Sequence, residues 1–233
     1  MKIIILAGGL GSRLRPLTFA IPKPLVPVGE KPILEHLLKC LQAQGFDEFY
    51  LAVGYKAELI ETYFQDGSAW GVHLHYCRES ERLGTAGPIR MLSHQFGFKE
   101  RLLVMNADIF TQLQFKNLIA FHEVHQSIFT FGIRYHQYTL PFGELHLDGP
   151  TVRGIQEKPT HQYAVSAGIY VIEPQALDSL PPSGPCDMPV FVQNLIDRNM
   201  KVCGYEIKEK WNAIETLADL ENELKDQERT GSS

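Results

Sequence analysis

The sequence is poor in residues that would staple a small fold or fill it with metal. Its 4 cysteines, Cys40, Cys77, Cys186 and Cys203, form no CxxC pair, so neither a zinc ribbon nor a disulfide framework is expected. Free thiols in a reducing compartment are the plain reading, and the expected location is cytoplasmic. A basic surplus is also lacking: 22 Lys and Arg face 27 Asp and Glu, for a net charge of −5. That balance argues against a nucleic-acid partner. No apolar run approaches the roughly 20 residues of a membrane span, so no membrane partner is expected. Lys2 and the run Ile3–Ala7 imitate the start of a signal peptide. The run is too short and Gly11-Ser12-Arg13-Leu14-Arg15 follows, so it reads as a strand. Linkers, repeats and low-complexity segments are absent. Two common phosphate patterns are missing as well: GxxxxGK[ST] does not occur, and the one GxG lacks the third glycine of GxGxxG. The 9 histidines are scattered. His73 and His75 share one face of a strand and His122 and His125 one face of a helix, a spacing that arises often by chance.

What is present is an alternation of buried strands and amphipathic helices. "KIIILA" is a continuous apolar run, as in a strand covered on both faces. Pro32–Gln44 reads as a helix, with Ile33, Leu34, Leu37, Leu38 and Leu41 on one stripe and Gly45 as its stop. "EFYLAV", a helix over Ala57–Phe64, "HLHYC", a helix after Pro88 and "RLLVMNAD" continue the rhythm. This pattern predicts an α/β protein with a mostly parallel central sheet. The second half differs. "SIFTFGIRY", "GELHL", "TVRGIQEK" and "SAGIYVI" are strands with few helices between them, which predicts a mixed or antiparallel extension. "DMPVFVQNLIDRN" is a helix, "KVCGYEI" a strand and Thr216–Gln227 a closing helix. With 44% apolar residues in 233, one domain over 1–228 is expected. Its nucleotide half covers about 1–110 and its substrate half about 111–228, and 229–233 reads as a disordered tail.

The densest signal follows the first strand, in "LAGGLGSRLRPLTFAIPKPL". In parallel α/β sheets ligands bind beyond the carboxyl ends of the strands, where this loop falls. Glycines let backbone N–H groups approach phosphate oxygens. Arg13 and Arg15 follow at once, and Lys23 stands between Pro22 and Pro24. Arginine offers a planar fork for phosphate, lysine a point charge, and flanking prolines stiffen the backbone that delivers it. A polyphosphate explains the combination; the bland alternative is a solvated basic loop.

These residues resemble the signature of sugar-1-phosphate nucleotidyltransferases, G-x-G-[ST]-R-L-x-P-L-T followed by P-K-P-L. The likeness covers nearly the whole chain. "LGTAGPIR" resembles the family's nucleoside loop, "NADI" its metal-bearing strand end, and "EKPT" and "SAGIYVIEP" its sugar segments. "CDMP" resembles the "FDMP" of a mannose-1-phosphate guanylyltransferase-like branch. The resemblance implies a Rossmann-like nucleotide-diphospho-sugar transferase fold. It implies transfer of a nucleotidyl group from a nucleoside triphosphate to a sugar 1-phosphate, with pyrophosphate released and Mg²⁺ as cofactor. It also implies roles. Leu6, Ala7, Gly8, Gly9, Gly11, Ser12 and Asn106 would bind the nucleotide, and Gly84 and Thr85 would pack near the base. Arg13 and Lys23 would hold the phosphates and act in catalysis with the metal ligand Asp108. Glu157 and Lys158 would take the sugar and its phosphate, with Gly143, Ser166 and Gly168 near the sugar. The left-handed β-helix domain of some members is expected to be absent, and the oligomeric state, a homo-oligomer included, is left open.

Glu79 and Glu81 precede the "LGT" loop. A carboxylate there can accept from the N1–H and 2-amino groups of guanine, which favours GTP; uridylyl and thymidylyl transfer are the alternatives. One position departs from the family pattern. The family's second metal aspartate lies in W-x-D-[IV]-G-T, and here the segment reads "WNAIET", with Ala213 at that position. Asn212 and Glu215 are the substitute ligands at hand, although on a strand Glu215 sits about 6–7 Å further along. Ser166 stands where the family often has asparagine. The expectation is therefore an active enzyme, or a catalytically impaired or regulatory relative that binds nucleotide or sugar nucleotide. Ala213 itself reads as natural drift or as an engineered loss.

Overall fold

Three consecutive isoleucines open the chain, and all three are buried against two different cores. The first strand, β1 (Lys2–Ala7), sends Ile3, Ile5 and Ala7 to one side and Ile4 to the other. Such a strand belongs in the middle of a covered sheet. The computed structural model of the chain describes residues 1–231.

After β1 come a short helix α1 (Leu17–Ala20) and a tight ribbon of β2 (Pro27–Val28) and β3 (Lys31–Pro32). Then α2 (Ile33–Gln42), β4 (Glu48–Val53), α3 (Ala57–Phe64), β5 (His73–Arg78), α4 (Gly87–Phe96) and β6 (Leu102–Asn106) complete the alternating half. The second half runs β7 (Ile109–Thr111), α5 (Phe115–Val124), β8 (Phe129–Thr139), β9 (Glu144–Asp148), β10 (Thr151–Gln156) and β11 (Thr160–Ile172). It closes with α6 (Met188–Asp197), β12 (Val202–Glu206), β13 (Trp211–Ala213) and α7 (Leu217–Gly231).

Seven strands form one sheet in the order β12-β8-β11-β6-β1-β4-β5. All neighbouring pairs are parallel except those made by β11, which runs antiparallel to both β6 and β8. The mostly parallel sheet with a mixed extension is as expected. From β1 the chain builds outward through β4 and β5, then returns to add β6 on the other side of β1. That reversal opens a crevice beyond the carboxyl ends of β1 and β6.

Helices cover both faces. Leu34, Leu37, Leu38 and Leu41 of α2 join Ile60 and Phe64 of α3 and Phe115 and Leu118 of α5 in one core. Ile89 and Leu92 of α4 and Phe191, Val192 and Leu195 of α6 fill the other. Each fully buried side chain of this kind contributes about 1.5–3 kcal/mol. A third, smaller core lies under the glycine-rich segment: Leu14, Val26, Val28, Ile33, Phe110, Ile214 and Leu220. It gives the first loop a packed base and ties it to the last helix.

Three boundaries shift. Pro32 is extended at φ −60°, ψ 151°, so it precedes the helix and α2 starts at Ile33. β11 begins at Thr160, well before "SAGIYVI". The closing helix reaches Gly231, so 229–231 of the expected disordered tail are helical, while 232 and 233 lie outside the described residues. The ribbon β9–β10 stands apart from the main sheet, with Leu145 opposite Ile155 and Leu147 opposite Val152.

Candidate active site

The loop after β1 is held in shape by its own backbone. Gly11 takes the left-handed conformation at φ +59°, and its carbonyl accepts the Leu14 N–H at 2.9 Å and the Thr18 hydroxyl at 2.9 Å. A Cβ at Gly11 would lie 2.9 Å from Thr18 Cγ2 and 3.0 Å from Lys23 Cβ, so any other residue would push Lys23 out of place. The Val26 N–H donates to the Lys23 carbonyl at 3.0 Å, which fixes the Pro22-Lys23-Pro24 turn.

A cavity of about 570 Å³ opens at the crevice. One wall is Leu6, Ala7, Gly8, Gly9, Gly11, Ser12, Arg13 and Lys23; another is Glu79, Arg82, Leu83, Gly84 and Thr85; Asn106 and Asp108 stand at the end of β6. All thirteen residues expected on the nucleotide side therefore line one space. Glu81 is exposed and is not among them.

Two cations of this wall, Lys23 and Arg13, meet carboxylates. The Lys23 ammonium donates to Asp108 Oδ2, and the Arg13 guanidinium donates to Glu215 Oε2. Glu215, the expected substitute ligand, lies past the end of β13 and turns to Arg13. The Asn212 amide donates to Glu223 at 2.7 Å, so it too is engaged away from Asp108. Asp108 keeps its other oxygen, Oδ1, buried and without any hydrogen-bond partner among the described residues. A buried acceptor of this kind is costly unless something positive reaches it. The Ile214 N–H donates to the Asp108 carbonyl at 3.0 Å, and the pairing of β13 with β7 places Ala213 opposite Ile109. A second cavity of about 360 Å³ opens there, lined by Trp211, Asn212, Ala213, Glu215 and Asp219. Among the described residues no cluster of three or more metal donors occurs.

Glu79 follows β5 and leans over Gly8. A Cβ at Gly8 would fall 2.0 Å from Glu79 Oε1, so a glycine is needed for the carboxylate to enter. Burial pushes the Glu79 carboxyl up, and the Leu83 N–H, 3.4 Å from Oε2, offsets only part of this. The "LGT" loop is pinned to "CDMP". The Cys186 N–H donates to the Leu83 carbonyl at 2.8 Å, and the Thr85 hydroxyl accepts the Met188 N–H at 2.7 Å. Gly84 is left-handed at φ +76°, and a Cβ there would meet the Cys186 carbonyl at 2.6 Å.

The five residues expected on the sugar side do not line this cavity. Ser166 and Gly168 sit at an irregularity of β11, where Gly168 faces Asn106 and the Ser166 hydroxyl donates to Tyr170 at 3.3 Å. Gly143 lies against Glu157, whose Oε2 is 3.3 Å from the place of its missing Cβ. Glu157 and Lys158 are exposed, the latter left-handed at φ 45°. The histidine pairs are structural: His122 bonds Thr130 and Glu173, and His75 bonds Glu48. Arg82 is the charged cavity residue that the sequence reading missed; its signal was its place directly before "LGT".

A glycine-rich loop and its cations stand at the switch point of a covered, mostly parallel sheet, where α/β folds hold their ligands. The chain belongs to the nucleotidyl transferase family, whose description matches residues 2–229. It is 34% identical to a probable mannose-1-phosphate guanylyltransferase of Oryza sativa subsp. japonica over 77% of this chain and 52% of that protein. It is 30% identical to the UTP–glucose-1-phosphate uridylyltransferase of Synechocystis over 94% of this chain and 61% of that one. The mannose-1-phosphate guanylyltransferase of Mycobacterium tuberculosis is 30% identical over 93% and 62%. The chain thus spans about half to three-fifths of the length of these relatives. Among solved structures, a putative glucose-1-phosphate thymidylyltransferase from Bacillus anthracis has the same fold, with a TM-score of 0.76 at 22% identity over 97% of this chain and 94% of that one. HddC from Yersinia pseudotuberculosis, solved with GMP-PN, gives 0.74 at 23% identity over 97% and 99%.

Proposed function

We propose that the chain transfers a nucleotidyl group from a nucleoside triphosphate, GTP by preference, to a sugar 1-phosphate. Residues 1–110 serve as the nucleotide half of one domain and 111–228 as the sugar-phosphate half. Its four free cysteines support a cytoplasmic setting. The observation that carries the reading is the convergence of the glycine loop, Arg13, Lys23 and the partnerless Asp108 Oδ1 on one cavity.

The nucleophile is a phosphate oxygen of the sugar 1-phosphate, already anionic, so no strong base is required. It attacks the α-phosphorus in line, and the bond to the bridging oxygen of pyrophosphate breaks. The protein's task is alignment and neutralisation of charge. The backbone N–H groups of the glycine loop and Arg13 take the β- and γ-phosphates. Lys23 exchanges Asp108 for an oxygen of the reacting phosphate. Asp108 would hold Mg²⁺ through Oδ1; when bound, that ion supplies positive charge to the phosphate oxygens. Glu157 and Lys158, exposed between β10 and β11, would meet the sugar and its phosphate.

Ala213 supports a second reading, a relative that binds nucleotide but turns over poorly. An alanine stands beside the cavity of about 360 Å³ where the family pattern has an acid. Pyrophosphate release from GTP, UTP, dTTP, CTP and ATP with a panel of sugar 1-phosphates, with and without Mg²⁺, separates the two. Release with GTP supports the enzyme; tight binding with no release under any condition supports the binder. Ala213→Asp is expected to raise turnover by up to ~10²–10³, the usual weight of one well-placed charge-stabilising group. An unchanged rate would mean that the metal side does not limit the reaction.

A further inference from the structure

Three cations line the cavity, and two of them are held by carboxylates. The third, Arg82, has no hydrogen bond, ion pair or ring contact among the described residues. It is exposed, and it belongs to the Glu79–Thr85 wall rather than to the phosphate loop. The turn that carries it is closed by the Leu83 N–H on Glu79 Oε2. Among the described residues Glu79 Oε1, over Gly8, has no hydrogen-bond partner either, and no ion pair joins Glu79 to Arg82. One wall of the cavity therefore presents an acceptor and a fork of donors, each without a partner among the described residues and too far apart to satisfy one another.

That pattern fits one base edge best. Guanine offers N1–H and 2-amino donors on one side and O6 and N7 acceptors on the other, and arginine is the commonest partner of O6 and N7. Adenine puts an amino donor where guanine has O6, which faces a guanidinium badly. Uracil sets its N3–H between the O4 and O2 carbonyls, so it has an acceptor where guanine has the 2-amino donor, and it has no N7. We infer that Arg82 is a specificity-determining residue that donates to O6 and N7 of guanine while Glu79 accepts from its N1–H and 2-amino group. The inference rests on the nucleotidyl-transfer reading above and adds to it the residue that selects the base.

The test is equilibrium binding of GTP, inosine triphosphate, 2-aminopurine riboside triphosphate and ATP to the wild-type chain, Arg82→Ala and Arg82→Lys. Arg82→Ala is expected to weaken GTP and inosine triphosphate, both of which carry O6, by about ten- to a hundredfold. It should leave ATP within about twofold, so the preference for GTP over 2-aminopurine riboside triphosphate shrinks. Arg82→Lys should restore part of the loss, since one donor remains. An equal loss for all four nucleotides would make Arg82 a phosphate contact and overturn the assignment, as would an undiminished preference for GTP. If the wild-type chain binds none of the four, the nucleotidyl-transfer reading itself falls and takes this inference with it. A wild type that prefers GTP together with an Arg82→Ala that still does so sinks the inference alone. Arg82 is exposed, so the variants should match the wild type in thermal unfolding.

Discussion

Arg13 and Lys23 reach the cavity already neutralised, and this bears on what a triphosphate must do to enter. The Lys23–Asp108 contact is mostly buried, at 17% exposure on each side, while Arg13 and Glu215 are 66% and 42% exposed. An exposed pair of this kind contributes about 0.2–1 kcal/mol. On the proposed function, Glu215 would therefore compete with phosphate for Arg13, but weakly. Glu215→Gln is expected to tighten GTP binding about 1.5- to 5-fold at low salt, with the gain vanishing in an Arg13→Ala background. A titration in which Glu215→Gln binds GTP more weakly in Mg²⁺ would return Glu215 to the role of metal ligand. The sequence made Glu215 visible as an acid out of pattern, but not its partner, because Arg13 lies 202 residues away. Asp108 was legible for a different reason: an acid two residues past a buried apolar strand has few places to go but the cavity at the sheet's edge.

At the scale of elements, the second half is held by a buried polar knot rather than by apolar packing alone. His122 of α5 is 1% exposed, with Nδ1 2.7 Å from Thr130 Oγ1 on β8 and Nε2 3.1 Å from Glu173 Oε1 after β11. Arg101 donates to Glu173 at 2.7 Å and to Glu123. Burial lowers the His122 pKa below its ordinary value, and Arg101 adds to this, while Glu173 and Glu123 act the other way. The folded state thus binds fewer protons at His122 than the unfolded chain does. Stability from this group is full above about pH 6.5 and is lost as pH falls below it. The melting temperature of the wild type should therefore drop more between pH 7 and pH 5 than that of His122→Gln. Parallel curves would contradict the assignment. From sequence, His122 was readable only as half of a spaced histidine pair; Thr130 lies on β8 and Glu173 just past the end of β11, and no local pattern declares how those strands pair. The long first half of β11 was hidden for a related reason. From Thr160 to Ser166 it is exposed apart from His161, so it carries no apolar run to mark it.

At the scale of the whole molecule, the alternating half was the more legible. Strands such as β1 and β6 are buried on both faces and read as unbroken apolar runs, and each helix between them shows a single stripe. Their parallel order follows from the alternation itself. The three-way meeting of the glycine loop, β7–β13 and α7 around Leu14, Phe110 and Ile214 was not readable, since its members are scattered over two hundred residues. That small core packs the base of the first loop against β7, β13 and α7. The central claim is that this loop grips the phosphate tail of a nucleotide. The most direct measurement is a calorimetric titration of the chain with GTP and with GMP in Mg²⁺, repeated on Arg13→Ala. GTP should bind at least tenfold more tightly than GMP, about 1.4 kcal/mol, and Arg13→Ala should erase most of that difference. Equal affinities for GTP and GMP, or no heat with either, would contradict it.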